Sequence, residues 1–439
     1  MNRSLLLAAL PLALAHPAAA APRDPVSKER MRATVEKLVS FGTRHSLSSA
    51  TDPVRGIGAA RNWTAAQFAA LSRDCGGCIT TERLSRRFTG PRAPNGVVIE
   101  DVLGIQPGSE PGRYVIVGAH IDSRVTDVMN VTSDAPGAND DASGVALVLE
   151  AARILSKSKF KATIVYAVFS GEEQGLWGAT LLADTAKARG WQVDAMLNND
   201  IVGNSVGQGG VVDANRVRVF SEGIRSSESL AEDMERRAIG GEDDGPSRAL
   251  AKAIDGIADA LPGPTSGKRF DVMLDRRPDR FGRGGDHEPF LKLGFPAVRF
   301  SVGAENWDRQ HQDVRTENGR VFADTIDGMD FDYLAKVTAI NAATIARVAA
   351  APAAPASASI AGALTRDTTV KWAPVPGAQS YRVRWRANDR QAWSDERVVA
   401  GVTTTLLKNV PVDDHFVGVS AVGADGAESL VTFAGRDRG

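Results

Sequence analysis

The chain has 439 residues, enough for two or three domains and a sizeable core. Its 52 Lys and Arg offset 53 Asp and Glu, a formal net charge of −1. That balance supplies no basic excess for nucleic acid and no polybasic patch for an anionic membrane surface.

The first twenty residues read as a secretory signal. Residues 1–3 carry positive charge, 5–15 are apolar, and 18–20 are the small residues a signal peptidase needs. The run is too short and too proline-interrupted for a transmembrane helix, and no other stretch is apolar enough to span a bilayer. The expectation is an exported protein, secreted or periplasmic.

Apolar residues at helical spacing predict helices over 26–39 and 59–71. Cys75 and Cys78 follow and are the only cysteines. A lone CxxC can be a redox pair, half a zinc site or a local disulfide. With no second CxxC and an oxidising destination, the disulfide is favoured. Residues 96–102 and 113–117 read as adjacent strands. A helix follows over 142–155, with Val145, Leu149, Ala152 and Leu155 at three- and four-residue steps. Then come strand 162–169, helix 176–188, strand 193–199, strand 295–301 and a long helix over 333–348. Strands alternating with helices of this length make βαβ units, so the fold class is α/β, a mainly parallel mixed sheet flanked by helices. Region 205–280 is expected to contribute to a substrate pocket, with 239–245 as a mobile loop.

Residues 349–359 are rich in Pro and Ala and read as an extended linker. Beyond them, short alternating strands at 369–373, 380–386, 403–407 and 416–422 predict a small all-β sandwich domain at the C-terminus. Trp372, Tyr381 and Trp385, with Gly-Ala-Asp-Gly-Ala-Glu-Ser at 423–429, resemble a fibronectin type III domain. The expected division is a signal at 1–20, a catalytic unit at 22–349, a linker at 350–359 and the β domain at 360–439. A surface or polymer is the partner considered for the last.

His120, Glu172, Glu173 and Asp200 sit just after predicted strands and Asp140 just before a predicted helix, while His311 comes further along after strand 295–301. Glu172 and Glu173 lie in Phe-Ser-Gly-Glu-Glu-Gln-Gly at 169–175, just after an apolar strand. His120 and Asp122 lie in Gly-Ala-His-Ile-Asp-Ser, Asp140 in Ala-Asn-Asp-Asp-Ala-Ser-Gly, Asp200 in Asn-Asn-Asp-Ile-Val-Gly, and His311 in Arg-Gln-His-Gln-Asp. Open parallel sheets build sites at the carboxyl ends of their strands, so these groups are expected to converge. Histidine with carboxylates is the ligand menu of zinc and similar ions. Two metals about 3.5–4 Å apart need a shared anion, which one aspartate can provide. Asp141 has a plainer reading as a helix cap, His45 and His287 as structural groups, and His415 as a surface residue.

In that order the motifs resemble the M28 group of co-catalytic zinc peptidases over residues 26–349. The characterised members of that group are mostly secreted aminopeptidases. The resemblance implies a zinc exopeptidase-like fold and two zinc ions per chain. His120, Asp140, Glu173, Asp200 and His311 are the implied ligands, with Asp140 bridging, Asp200 on the His120 side and Glu173 on the His311 side. Glu172 is the implied general base, and Asp122 the carboxylate that orients His120. Gln310 stands where many relatives carry tyrosine. The expected activity is removal of N-terminal residues from peptides or proteins by metal-activated water. Two alternatives are a single-zinc glutaminyl-cyclase-like acyltransferase and a non-catalytic binding protein on the same fold. Intact His120 and Asp140 disfavour the first, and the complete set of ligands and base disfavours the second.

Overall fold

A computed structural model describes residues 24–263 and 268–437; the expected signal at 1–20 lies outside the described residues. The central sheet has eight strands: β1 Thr80–Gly90, β2 Ala93–Gln106, β3 Arg113–His120, β4 Thr163–Phe169, β5 Gln192–Asn199, β6 Arg216–Phe220, β7 Asp271–Asp275 and β8 Ala297–Val302. Their spatial order is β1-β2-β4-β3-β5-β8-β6-β7. The middle four, β4-β3-β5-β8, run parallel, while β2 and β6 join them antiparallel. The helices are α1 Lys28–Val39, α2 Ile57–Asp74, α3 Ala142–Leu155, α4 Glu172–Gly175, α5 Trp177–Ala188, α6 Leu230–Ala238, α7 Pro246–Ala260, α8 Glu288–Lys292 and α9 Phe331–Ala350.

Both faces of the sheet are covered, which explains why its inner strands are apolar without alternation. Along β4, Ile164, Tyr166 and Val168 belong to the core on the α3 and α9 face, whereas Val165, Ala167 and Phe169 belong to the core on the α5 and α8 face. The expected pairing of 96–102 with 113–117 does not occur. The β3–α3–β4 crossover places β4 between β2 and β3, so Val102 faces Val168 and Val115 faces Ile164. Cys75 and Cys78 form a disulfide just after α2.

A two-stranded hairpin, β9 Arg315–Glu317 with β10 Arg320–Phe322, follows the central sheet. The C-terminal strands are β11 Ala358–Ala361, β12 Thr368–Trp372, β13 Ser380–Ala387, β14 Asp395–Val399, β15 Thr404–Leu407, β16 His415–Val422, β17 Thr432–Phe433 and β18 Gly435–Arg436. They form two four-stranded sheets, β15-β12-β11-β18 and β14-β13-β16-β17. Val370, Trp372, Tyr381, Val383, Leu407, Val417 and Val419 share the core between the two.

Two expectations about connections need correction. The stretch read as a linker is narrower, because α9 continues to Ala350 and β11 begins at Ala358; Ala351, Pro352 and Pro355 are buried within it. Residues 239–245 are not a loose loop either. A 3-10 turn over Gly241–Asp244 joins α6 to α7, with Gly241 and Asp244 buried. Arg386 of β13, fully buried, reaches Asp243 at 2.8 Å and also bonds Asp244. Its guanidinium lies over Trp393 and Phe416, so charge and aromatic packing hold the turn against the β sheets.

Candidate metal centre

His120 ends β3, Glu172 and Glu173 open α4 directly after β4, and Asp200 follows β5. Asp140 precedes α3, and His311 lies in the loop after β8. Gly171, at φ 75°, makes the left-handed turn that brings the glutamate pair up from the strand end. The sequence therefore delivers the ligands from separate crossovers to one edge of the sheet.

Two trios form. His120, Glu172 and Asp200 have donor atoms within 4.8 Å of one another, as do Asp140, Glu173 and His311. Asp140 links them, with Oδ1 3.2 Å from His120 Nε2 and Oδ2 3.0 Å from His311 Nε2. His120 Nε2 also lies 3.8 Å from Asp200 Oδ2. The expected ligands and base are thus brought together, Glu172 standing within the His120 trio.

The residues fit divalent metal. Glu173 Oε1 is buried and makes no directed hydrogen bond, although it lies 2.8 Å from His311 Nε2. His120 Nδ1 sits 3.1 Å from the Asp122 carbonyl, so Nδ1–H donates there and Nε2 is left to face a cation. A histidine and carboxylates with an unpaired oxygen between them are the donor chemistry of zinc. Burial, with Glu173, Asp200 and Asp122 nearby, pushes the Glu172 carboxyl up to about 8, against the opposing pull of His120. Carboxylates so crowded need cationic company.

The acceptor for His120 Nδ1–H is the Asp122 carbonyl and not the carboxylate expected to orient the ring, which is engaged elsewhere. Its Oδ1 accepts from the Glu172 amide at 3.3 Å and its Oδ2 from the Glu173 amide at 3.1 Å, while Oδ1 lies 3.6 Å from His120 Nδ1. It fixes the glutamate turn and the first histidine together. Asp141 caps α3 as expected, accepting from Gly144 N at 3.1 Å, and it also accepts from the His120 amide. His45 and His287 bond the carbonyls of Val128 and Pro278, in keeping with structural roles.

Several supporting residues carry no signal in the sequence. Asp324 accepts from the Asn139 and Asp140 amides at 2.8 and 2.7 Å and so aims Asp140. Arg299 of β8, fully buried, donates Nε to the Asp200 carbonyl at 2.6 Å and holds Asp279 through Nη1 at 3.0 Å. Its Nη2 lies 2.9 Å from Asp200 Oδ2. Burial works against its charge, but Asp200 and Asp279 outweigh it and raise its pKa. Asp286 is fully buried beside Glu172, with both carboxylate oxygens unpartnered.

A groove of about 600 Å³ lies elsewhere, between α6 and the C-terminal strands. Among the described residues no helix is long and apolar enough to cross a membrane.

Residues 101–240 match Peptidase family M28, a span that holds every expected site residue but His311. A probable zinc metalloprotease of Pyrenophora teres f. teres (strain 0-1) is 43% identical over 417 residues, covering 93% of this chain and 85% of the relative. Among solved structures, LapB from Legionella pneumophila superposes with a TM-score of 0.53 at 18% identity, covering 73% of this chain and 71% of that one. A leucine aminopeptidase precursor from Bacteroides thetaiotaomicron VPI-5482 superposes with a TM-score of 0.50 at 17% identity, covering 74% and 98%. The last two agree in fold. The length and level of the sequence match, together with the histidine and carboxylate cluster at the sheet edge, establish that the chain belongs to Peptidase family M28 and is a zinc metalloprotease.

Proposed function

We propose that the protein is an exported aminopeptidase that works with two zinc ions, removing residues from the N-termini of peptides or proteins. The observation that carries the two-ion reading is the Asp140 carboxylate, whose two oxygens face different imidazoles at 3.2 and 3.0 Å. One aspartate shared between two donor trios suits a pair of ions. His120 and Asp200 would hold one, Glu173 and His311 the other, and Asp140 both. When bound, zinc supplies a Lewis acid and lowers the pKa of water toward neutrality.

The remaining work belongs to the chain. Glu172, carried on a turn fixed by Asp122, accepts the proton of the attacking water and returns it to the leaving amine. Asp324 and Arg299 keep Asp140 and Asp200 in place through the step. The aminopeptidase reading draws support from the Bacteroides thetaiotaomicron leucine aminopeptidase precursor. It also suits carboxylates such as Glu172, which match the positive charge of a free α-amino group. Export rests on the charged, apolar and small-residue pattern of the first twenty residues. The C-terminal pair of sheets is read as fibronectin type III-like, a candidate for binding a surface or polymer.

The test is hydrolysis of a panel of amino-acid p-nitroanilides beside their N-blocked analogues, with and without chelator. Cleavage of the free-amine substrates alone, abolished by chelator and restored by zinc, is the expected result. Cleavage of blocked substrates alone would overturn the aminopeptidase reading.

A further inference from the structure

The two imidazoles of the centre face opposite kinds of neighbour through Nδ1. His120, 1% exposed, lies 3.1 Å from a carbonyl, which accepts Nδ1–H and leaves Nε2 free for metal. His311, whose side chain is 27% exposed, has its Nδ1 2.6 Å from Arg124 Nη2. A guanidinium only donates. An imidazole that gives its Nε2 lone pair to a metal keeps the hydrogen on Nδ1 and needs an acceptor there. Two N–H donors do not share a 2.6 Å contact, so ligation by His311 and this arginine contact exclude one another.

Arg124 also holds the second ligand of that trio. Its Nε donates to Glu173 Oε2 at 2.8 Å, neutralising a carboxylate whose other oxygen is buried 2.8 Å from His311 Nε2. Its Nη1 donates to the Val125 carbonyl at 3.1 Å. The side chain is 16% exposed, so its guanidinium is not sealed inside the core. His311 itself is held at a left-handed φ of 51°, its carbonyl accepting from Thr126 Oγ1 at 3.1 Å. The loop is thus anchored independently of the arginine.

We propose that Arg124 is a built-in cation that competes with metal on the Asp140–Glu173–His311 face, so that the second ion binds only when the guanidinium lets go. The proposal rests on the two-ion reading above. It makes the two sites unequal. The His120 side is preorganised by Asp122 and Arg299, and the His311 side is the one that fills last and exchanges first. Because the competition is an equilibrium, the arginine weakens metal by the same factor as metal weakens the arginine contact.

The experiment uses the full-length protein stripped of metal and titrated with zinc against a chromophoric chelator, as wild type, Arg124→Gln and Arg124→Lys. Wild type is expected to bind two ions, the second at least about tenfold more weakly. Arg124→Gln is expected to tighten the second ion about tenfold or more and to leave the first within about twofold. Arg124→Lys, which keeps the charge for Glu173 but lacks the planar fork, falls between. An unchanged or weaker second constant in Arg124→Gln overturns the proposal while leaving two ions per chain. A single ion in every variant overturns the two-ion reading and the proposal with it. If Arg124→Gln does not fold, the Arg124→Lys constants decide the matter by the same criterion.

Discussion

Glu172 and Glu173 are neighbours in the chain with different surroundings. Glu173 is bonded by Arg124 and faces His311, whereas Glu172 stands in the other trio and is half-buried. Glu172→Gln keeps the shape and the Asp122 contact, which is made to its backbone amide. The variant is expected to retain its zinc content by elemental analysis while hydrolysis falls about a hundredfold to ten-thousandfold. Wild-type-like turnover would remove Glu172 from the role of base. The candidate ligands were readable because each sits in a short motif, all but His311 beside a strand end or helix start. Arg299, Asp324 and Arg124 were not. Arg299 lies inside the apolar run of β8, and the Asp200 it holds is 99 residues away, so its partner exists only once strand order is known.

At the scale of elements, the segment between β7 and α8 depends on one carboxylate. Glu305 joins Arg218 of β6 to Arg280 and Arg283 of that segment, which leads on to Asp286 and to the Gly284 carbonyl bonded by Arg299. Burial alone would raise the Glu305 pKa, but Arg280, Arg218 and Arg283 bring it down to about 2. A depressed carboxylate stabilises the fold above its unfolded value near 4.5, and that stabilisation is lost as pH falls toward 2. Allowing for solvent screening, Glu305→Gln is expected to cost about 2 kcal/mol near neutrality. In denaturant titrations the difference from wild type shrinks to less than about half by pH 3. A difference that does not change with pH would rule out the ionic origin. Helices α1, α2, α3, α5 and α9 and strands β2 to β5 and β8 were legible from periodicity, whereas α6, α7 and β6, and the insertion of β4 between β2 and β3, were not. Pairing there is chosen by the crossover and not by nearness in sequence. β14 was missed because its residues are almost all exposed and carry no apolar alternation.

Across the whole molecule, the C-terminal sheets are fastened to the peptidase and do not hang from a free tether. Arg386 is one fastening, between Asp243, Asp244, Trp393 and Phe416, beside the Arg276–Gln391 and Lys161–Asp425 contacts. Arg386→Met keeps bulk but strands two largely buried carboxylates. Lys252 and Arg276 still pair with them, which keeps the expected loss near about 3 kcal/mol, the lower end for a broken buried pair. The fastening is also checked by proteinase K cleavage between α9 and β11, which is expected to accelerate in the variant. Equal melting temperatures and equal cleavage rates would show that the arginine does not hold the two parts together. Nothing in the local sequence announced this contact, since 239–245 has the Gly and Asp content of a loop and gains its order from a partner 142 residues further on.

The place of β8 in the sheet has a consequence for biosynthesis. It lies between β5 and β6, so β6 and β7 leave the ribosome before the strand that joins them to the rest. His311 emerges after β8, and Asp324, which aims Asp140, emerges later still. A nascent chain that ends short of these residues holds one trio without the other and an unsteadied Asp140. The metal centre can therefore be completed only after β8 has closed the central sheet, with the C-terminal strands still to come.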